Sequence, residues 1–135
     1  ENDAPAAFPV GQTTVIWTVT DQSGNTATAS QIITVSDDEA PVITIAAVTV
    51  SADAESCEAS NVDLGAPETS DNCEVDGVEN DAPDTFPVGE TRVIWTVTDI
   101  YGNTSTAAQV VTVTDDEALI IKDMPAVSVS LVSLV

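Results

Sequence analysis

Residues 91–98 read TRVIWTVT, and this stretch decides the fold. Val93, Trp95 and Val97 occupy every second position and therefore share one face, a pattern typical of a half-buried β-strand. The next residues, DIYGN (99–103), contain Gly and Asn, which tolerate positive φ and favour a chain reversal. A second stretch rich in Val and Thr, residues 104–113, completes a predicted β-hairpin.

The same pattern occurs earlier in the chain. Residues 2–39 return, with many identities, as residues 80–117, at a constant offset of 78 residues. A second hairpin is therefore predicted, with TTVIWTVT at residues 13–20 and its returning strand at 26–35. In both copies Phe-Pro-Val-Gly precedes the Trp strand, and we expect the strand to start there with a bend. Self-similarity at a fixed period indicates an array of like units.

The composition allows small β-modules and excludes several functions. Apolar residues make up 43% of the 135 residues but aromatic residues only 4%, so each module has a modest core. The 23 Asp and Glu against 2 Lys and Arg give a formal net charge of −21, which excludes nucleic acid and disfavours anionic membranes as partners. There is no His, which closes off much acid–base and zinc chemistry. Residues 126–135 are apolar but far shorter than the roughly 20 residues that a membrane span needs.

The order of strands and turns predicts the fold class. We expect a further strand at residues 42–51 and short strands within a loop region at residues 52–78. Short strands separated by regular turn signals indicate a β-sandwich. The sequence therefore predicts an all-β protein.

Two cysteines, Cys57 and Cys73, are separated by 16 residues. An even, small number of cysteines in an acidic all-β chain favours one disulfide and an oxidising, extracellular setting. A zinc site or a reactive thiol is the alternative.

The repeated motif resembles a known family. FPVG-x-T-x-V-x-WTVTD-x-x-GNT-x-TA, followed by a strand rich in Val and Ile and with SDNC (residues 70–73) upstream, is similar to the hyalin repeat (HYR) module. The resemblance implies tandem immunoglobulin-like β-sandwich modules, found in extracellular, adhesion-related proteins as spacers or adhesive units. Together with the repeat, it divides the chain into the rear part of one module (residues 1–39), a complete module (40–117) and the first strand of a further module (118–135).

Carboxylates cluster where one module ends and the next begins. Like charges crowded on a short peptide repel each other by roughly 1 kcal/mol per close pair, whereas Ca²⁺ accepts about six to eight oxygen ligands from such groups. We therefore expect calcium at the module seams and near the SDNC loop. A solvated acidic turn is the alternative, since no EF-hand loop is present. The candidate ligands are Asp37, Asp38, Glu39, Asp71, Asn72, Asp76, Asp81, Asp99, Asn103, Asp115, Asp116 and Glu117.

The tryptophans and one sequon bear on sugar chemistry. Trp17 and Trp95 lie in the middle of the most apolar strands, so we expect them in the core rather than in a sugar-binding platform. Residues 103–105, Asn-Thr-Ser, match the N-glycosylation sequon, which makes Asn103 a candidate glycosylation site. The corresponding residues 25–27, Asn-Thr-Ala, do not match.

The incomplete modules at the two ends predict an assembly. A half-sandwich formed by residues 1–38 would expose an apolar face and a bare strand edge. Residues 125–129 parallel residues 46–50, so the segment 126–135 of another copy is a candidate donor strand for this half-module. Such a head-to-tail contact generates a filament. The alternative is that the chain is a window of a longer tandem array.

The leading function is therefore a structural repeat module of an extracellular or cell-surface fibre or adhesin stalk, rigidified by calcium. One alternative is a glycan- or receptor-binding adhesion module that uses the turn at Ile100 and Tyr101. Another is an accessory domain of a secreted enzyme. We expect no enzyme activity, because the sequence offers no nucleophile–base pair.

Overall fold

The computed structural model describes residues 1–120 and 125–130, and all regular structure in them is β. The predicted all-β class is confirmed, with the strands arranged in several sheets as in a β-sandwich. None of the described residues forms a helix of the length and apolarity that a membrane span needs. The strands of the described part are β1 (Gly11–Thr20), β2 (Thr26–Val35), β3 (Val42–Thr44), β4 (Val48–Ser51), β5 (Glu58–Ser60), β6 (Glu68–Ser70), β7 (Val75–Asn80), β8 (Thr85–Pro87), β9 (Gly89–Asp99) and β10 (Thr104–Thr114).

The first predicted hairpin is present as β1 and β2, which form a two-stranded antiparallel sheet. The turn between them contains Gly24 at φ 88°, a conformation that side chains other than glycine rarely adopt. Asp21 Oδ1 closes this turn by accepting hydrogen bonds from the backbone N–H groups of Ser23 (2.8 Å) and Asn25 (2.9 Å). The alternating pattern and the turn residues thus specify the hairpin locally.

The second predicted hairpin, β9 and β10, lies inside a four-stranded sheet of order β4-β10-β9-β7. β7 is antiparallel to β9, and β4 is parallel to β10, with Val48 opposite Val111. The inward residues Val93, Val97 and Val111 are fully buried. The β9–β10 hairpin therefore has a neighbouring strand on each side. In the described residues, no further strand flanks the β1–β2 hairpin.

The predicted single strand at residues 42–51 is wrong in one respect. It is interrupted after Thr44, so that β3 pairs with β6 in one small sheet and β4 pairs with β10 in the larger one. The break between Thr44 and Val48 lets the chain change from one pairing partner to the other. A third small sheet pairs β5 with β8.

The chain divides into two compact units, each built from separate segments. The first comprises Glu1–Ala46, Gly65–Ala82 and Val93–Gln109; the second comprises Ala47–Leu64, Pro83–Arg92 and the described residues from Val110. Val15, Val93, Trp95 and Val97 are buried in the first unit, and Ala59, Phe86, Val111 and Val113 in the second. The module boundaries predicted from the repeat, at residues 39/40 and 117/118, do not coincide with these units and stay a prediction.

The predicted disulfide is absent, because Cys57 and Cys73 are both free, exposed thiols. Cys57 lies beside β5, where its carbonyl accepts a hydrogen bond from Val88 N at 2.9 Å. Cys73 follows β6, and its backbone N–H donates to Asp71 Oδ2 at 2.9 Å. Between the two cysteines the chain passes through β5 and β6, which pair with different strands in different sheets.

The prediction that both tryptophans are in the core is confirmed for Trp95, which is 7% exposed, and wrong for Trp17, which is 47% exposed. Trp17 lies in the two-stranded β1–β2 sheet, whereas Trp95 lies in the four-stranded sheet of the described residues. Part of the predicted donor segment, residues 131–135, lies outside the described residues, while residues 125–130 are exposed and form no strand.

Candidate metal centre

Asp37, from the acidic seam between β2 and β3, is the centre of the candidate site. Its Oδ1 accepts hydrogen bonds from Glu39 N (3.2 Å) and from Asn72 Nδ2 (3.1 Å). Its backbone carbonyl accepts a further hydrogen bond from Asn103 Nδ2 at 3.0 Å. Three parts of the chain that are far apart in sequence therefore meet at one seam residue.

Asp71 and Cys73, from the loop between β6 and β7, complete the cluster. One potential ligand atom from each of Asp37, Asp71 and Cys73 lies within 4.8 Å of the other two. Asp37 Oδ2 and Asp71 Oδ1 are buried and have no hydrogen-bond partner in the described part of the chain. Buried oxygens of this kind are uncommon and require an explanation.

The electrostatics of the cluster couple the thiol to the carboxylates. The Cys73 thiol, followed by the Asn72 amide, lowers the pKa of Asp37. The same carboxylate, together with partial desolvation of the thiol and the negative charges of Asp71 and Asp99, raises the pKa of Cys73 to about 11. The S–H group is a weak donor that favours the charged form of Asp37. Asp37 Oδ2 nevertheless has no hydrogen-bond partner of standard geometry among the described residues. Cys73 is therefore a neutral thiol at neutral pH.

Asp99 has a positioning role in this arrangement. It is 1% exposed, and its Oδ1 accepts hydrogen bonds from the backbone N–H groups of Tyr101 and Asn103, both at 2.8 Å. Its Oδ2 accepts from Asn103 Nδ2 at 2.7 Å. Burial raises the pKa of Asp99, but these hydrogen bonds outweigh burial and the net pKa is lowered. Since both oxygens have partners, Asp99 holds Asn103 in place, and Asn103 in turn holds Asp37.

The candidate glycosylation site coincides with this network. Asn103 Nδ2, the atom to which an N-linked sugar would be attached, donates to Asp37 O and to Asp99 Oδ2. Attaching a sugar in the folded protein would disturb both hydrogen bonds.

The second acidic seam has a different environment. Glu117 N donates to Asp115 Oδ1 at 3.1 Å, as Glu39 N does to Asp37. However, Asp116 Oδ2 accepts from Ser51 Oγ at 2.9 Å, and Glu117 Oε2 accepts from Glu55 N at 2.7 Å. These carboxylates are therefore engaged with the end of β4 and the segment that follows it.

The remaining predicted ligands lie apart from the cluster. Asp38 Oδ2 accepts from Ser36 Oγ at 3.0 Å, and Asp76 is exposed on β7. Asp81 Oδ1 accepts from Ile94 N at 2.6 Å, a bond that ties the end of β7 to β9. Local structure accounts for the positions of these acids.

One important residue was missed by sequence reasoning. Gln109 is fully buried; its Oε1 accepts from Trp95 Nε1 at 3.0 Å and its Nε2 donates to the carbonyl of Ala46 at 2.8 Å. The equivalent Gln31 accepts from Trp17 Nε1 at 2.9 Å. The available signal was a glutamine at the same place in both repeats, within otherwise apolar strands.

No family model matches this chain, and no curated protein matches it. The HYR resemblance therefore stays a prediction that rests on the repeated motif.

Proposed function

We propose that this chain is a structural segment of an extracellular or cell-surface fibre or adhesin stalk, built from HYR-like, immunoglobulin-like modules arranged head to tail. Calcium at the first acidic seam stiffens the array. The observation that carries the proposal is the convergence of Asp37 and Asp71, each with a buried oxygen that no described group satisfies.

The chemistry of these two residues fits a hard divalent cation. Two carboxylates in close contact repel each other, and a cation bound between them turns that repulsion into attraction. Asp37 and Asp71 supply the free oxygens, and water completes the coordination of about six to eight that Ca²⁺ requires. The Cys73 sulfur is a soft ligand that suits zinc better than calcium, so a comparison of the two metals tests which ion the cluster prefers.

A small number of protein ligands suits an extracellular setting. Extracellular calcium modules typically bind with Kd of about 10⁻⁴–10⁻³ M, an affinity that a site with few carboxylates reaches. A net charge of −21 favours an assembly in which cations offset the repulsion between successive modules.

Thermal unfolding with calcium and with a chelator tests the proposal. At a calcium concentration about 10 to 100 times Kd, the free energy of unfolding increases by roughly 1–3 kcal/mol, which raises Tm by several degrees. We expect this rise in the native chain and not in Asp71→Asn. Asp76→Asn is the matched control, since it removes the same charge from a nearby exposed site. An unchanged midpoint in the native chain, or an equal rise in Asp71→Asn, contradicts the proposal. A larger rise with zinc than with calcium would replace calcium by zinc.

A second candidate function is a glycan- or receptor-binding adhesion module. It is favoured by Ile100 and Tyr101, which are 47% and 48% exposed at the tip of the β9–β10 turn. Tyr101 has no aromatic counterpart in the first repeat, where Ser23 stands. Binding to a glycan array that disappears in Tyr101→Ala would support this candidate.

A further inference from the structure

The edge of β2 that faces away from β1 corresponds to the edge of β10 that pairs with β4. β1 is flanked by Asn2, which bridges to Trp17 just as Asn80 pairs with Trp95 at the corresponding place beside β9. On the other side of the hairpins the correspondence ends. β10 has β4 as its parallel neighbour, whereas β2 pairs only with β1 among the described residues.

The contacts between β4 and β10 define what an occupant of this edge must provide. Val48 lies opposite Val111, and Val50 lies opposite Val113. Just before β4, the carbonyl of Ala46 accepts the hydrogen bond from Gln109 Nε2 at 2.8 Å. The occupant therefore needs an extended strand with two valines on one face and a backbone carbonyl two residues ahead of the first valine.

The chain contains a second segment with these properties. Residues 125–130 read PAVSVS, against AAVTVS for residues 46–51. Val127 and Val129 are 84% and 81% exposed, and these described residues form no strand in their own chain. Each segment follows an acidic seam at nearly the same distance, so each is suited to the module that comes after its seam.

We infer that residues 125–130 of a second copy add to β2 as a parallel strand, an inference that rests on the proposed head-to-tail fibre. Two alignments fix the register: the 78-residue offset places Ile33 and Val35 where Val111 and Val113 stand, and residues 125–130 align with 46–51 at an offset of 79. Val127 of the second copy therefore lies opposite Ile33, and Val129 lies opposite Val35. Gln31 Nε2 donates to the carbonyl of Pro125 of that copy, as Gln109 does to Ala46. Gln31 thereby determines the register and the direction of the added strand.

A second copy is the occupant because residues 125–130 of the same chain form no strand and do not pair with β2. The strand that covers β10 comes before that hairpin in the sequence, whereas residues 125–130 come after β2 and after the seam that follows β10. In a line of copies the segment of each chain adds to the β1–β2 hairpin of the next, and the contact repeats without closing on itself.

Substitutions on the two faces of the donor segment test the inference in the chain of 135 residues. Val127→Asp/Val129→Asp places two charges on the face toward the hairpin, and Ser128→Asp/Ser130→Asp, the matched control, places the same charges on the opposite face. By sedimentation velocity over a concentration series, we expect the native chain and the control to form growing oligomers. The Val127→Asp/Val129→Asp chain is expected to stay monomeric, with a loss of association of at least 100-fold.

Mixing experiments identify the two surfaces. Ile33→Asp blocks the acceptor edge, and its circular dichroism must match that of the native chain; Gln31→Ala, a milder acceptor variant, is used if it does not. An equimolar mixture of the acceptor-blocked and donor-blocked chains should give a dimer that stops there, because one free acceptor meets one free donor. A synthetic peptide of residues 125–135 should bind the donor-blocked chain at a ratio of one to one.

Each alternative result has a defined meaning. Oligomers that survive Val127→Asp/Val129→Asp overturn strand donation and leave the proposed fibre intact. If the native chain is monomeric and does not bind the peptide while the donor-blocked chain does, the chain's own tail is the occupant. This result contradicts strand donation by a second copy. No peptide binding to either chain overturns the acceptor site itself. Peptide binding without oligomers of the native chain supports the site and contradicts the proposed fibre.

Discussion

The β1–β2 and β9–β10 hairpins have nearly the same sequence and the same local hydrogen bonds, yet they differ in burial. Val97 is fully buried, whereas the equivalent Val19 is 67% exposed. Both hairpins have the same aspartate-closed turn and the same hydrogen bond from a tryptophan to a glutamine. The motif therefore specifies a hairpin on its own, while the burial of its apolar face is decided by the rest of the fold around each copy.

The largest difference is expected for the tryptophans. Trp95→Ala should lower the free energy of unfolding by about 3–5 kcal/mol, because it removes a large buried side chain and leaves a cavity. Trp17→Ala should cost less than about 1 kcal/mol in the monomeric chain, since its ring is already half exposed. Urea denaturation followed by circular dichroism measures both values. Similar losses for the two variants would show that the hairpins are buried alike in solution.

The two glutamines should differ by a smaller amount. Gln109→Ala leaves Trp95 Nε1 and the Ala46 carbonyl without their partner in the interior, at a cost of about 1–3 kcal/mol. Gln31→Ala should be close to neutral in the monomer, because water replaces the lost hydrogen bond at an exposed site. Urea midpoints for the two variants check this, and a costly Gln31→Ala in the monomer would contradict the open edge.

The turn aspartates of the two hairpins can be compared through the pH dependence of stability. The pKa of Asp21 is lowered mainly by its hydrogen bonds from Asn25, and the pKa of Asp99 is lowered despite its burial. A pKa that is lower in the folded state stabilises the protein above the ordinary value of 3.8, and this stabilisation is lost as the pH falls through the folded pKa. Carbon-detected NMR titration in the presence of a chelator should place both carboxyl groups below 3.8. A value at or above 3.8 for either one contradicts its turn geometry.

The turn glycines should show no difference between the hairpins. Gly24 and Gly102 have φ of 88° and 91°, so alanine at either position is strained by about 1–2 kcal/mol. Nothing lies within 4 Å of a Cβ added to either glycine, so the cost is confined to the backbone. Hydrogen exchange of the amides in each hairpin should show equal loss of protection in Gly24→Ala and Gly102→Ala. Unequal losses would show that flanking strands also influence the turns.

The four long strands could be predicted from the sequence because their pattern is local. Alternation and turn chemistry placed β2 at residues 26–35 and β10 to within one residue. The division into β3 and β4 was not predicted, although the alternation changes phase at Ala46-Ala47, from Ile43 and Ile45 to Val48 and Val50. The pairing of the two strands with different partners is not visible in the sequence. The parallel pairing of β4 with β10 depends on the same non-local information.

The candidate site was predictable as a set of residues but not as a geometry. The clustering of carboxylate and amide side chains predicts Asp37, Asp71 and Asn103, which the structure brings together. The same criterion also selected Asp81, because clustering along the chain does not distinguish a free carboxylate from one that accepts a backbone N–H. Cys73 is a free thiol in the acidic cluster, which the number and spacing of the cysteines do not reveal.

The parallel pairing of β4 with β10 has a mechanical consequence. The chain passes through β4 soon after the first seam and leaves β10 just before the second. Tension along the chain pulls these two parallel strands in opposite directions along their length, so the hydrogen bonds between them are loaded in shear and must fail together. A stalk built on such pairs would resist stretching far better than one whose bonds open one at a time.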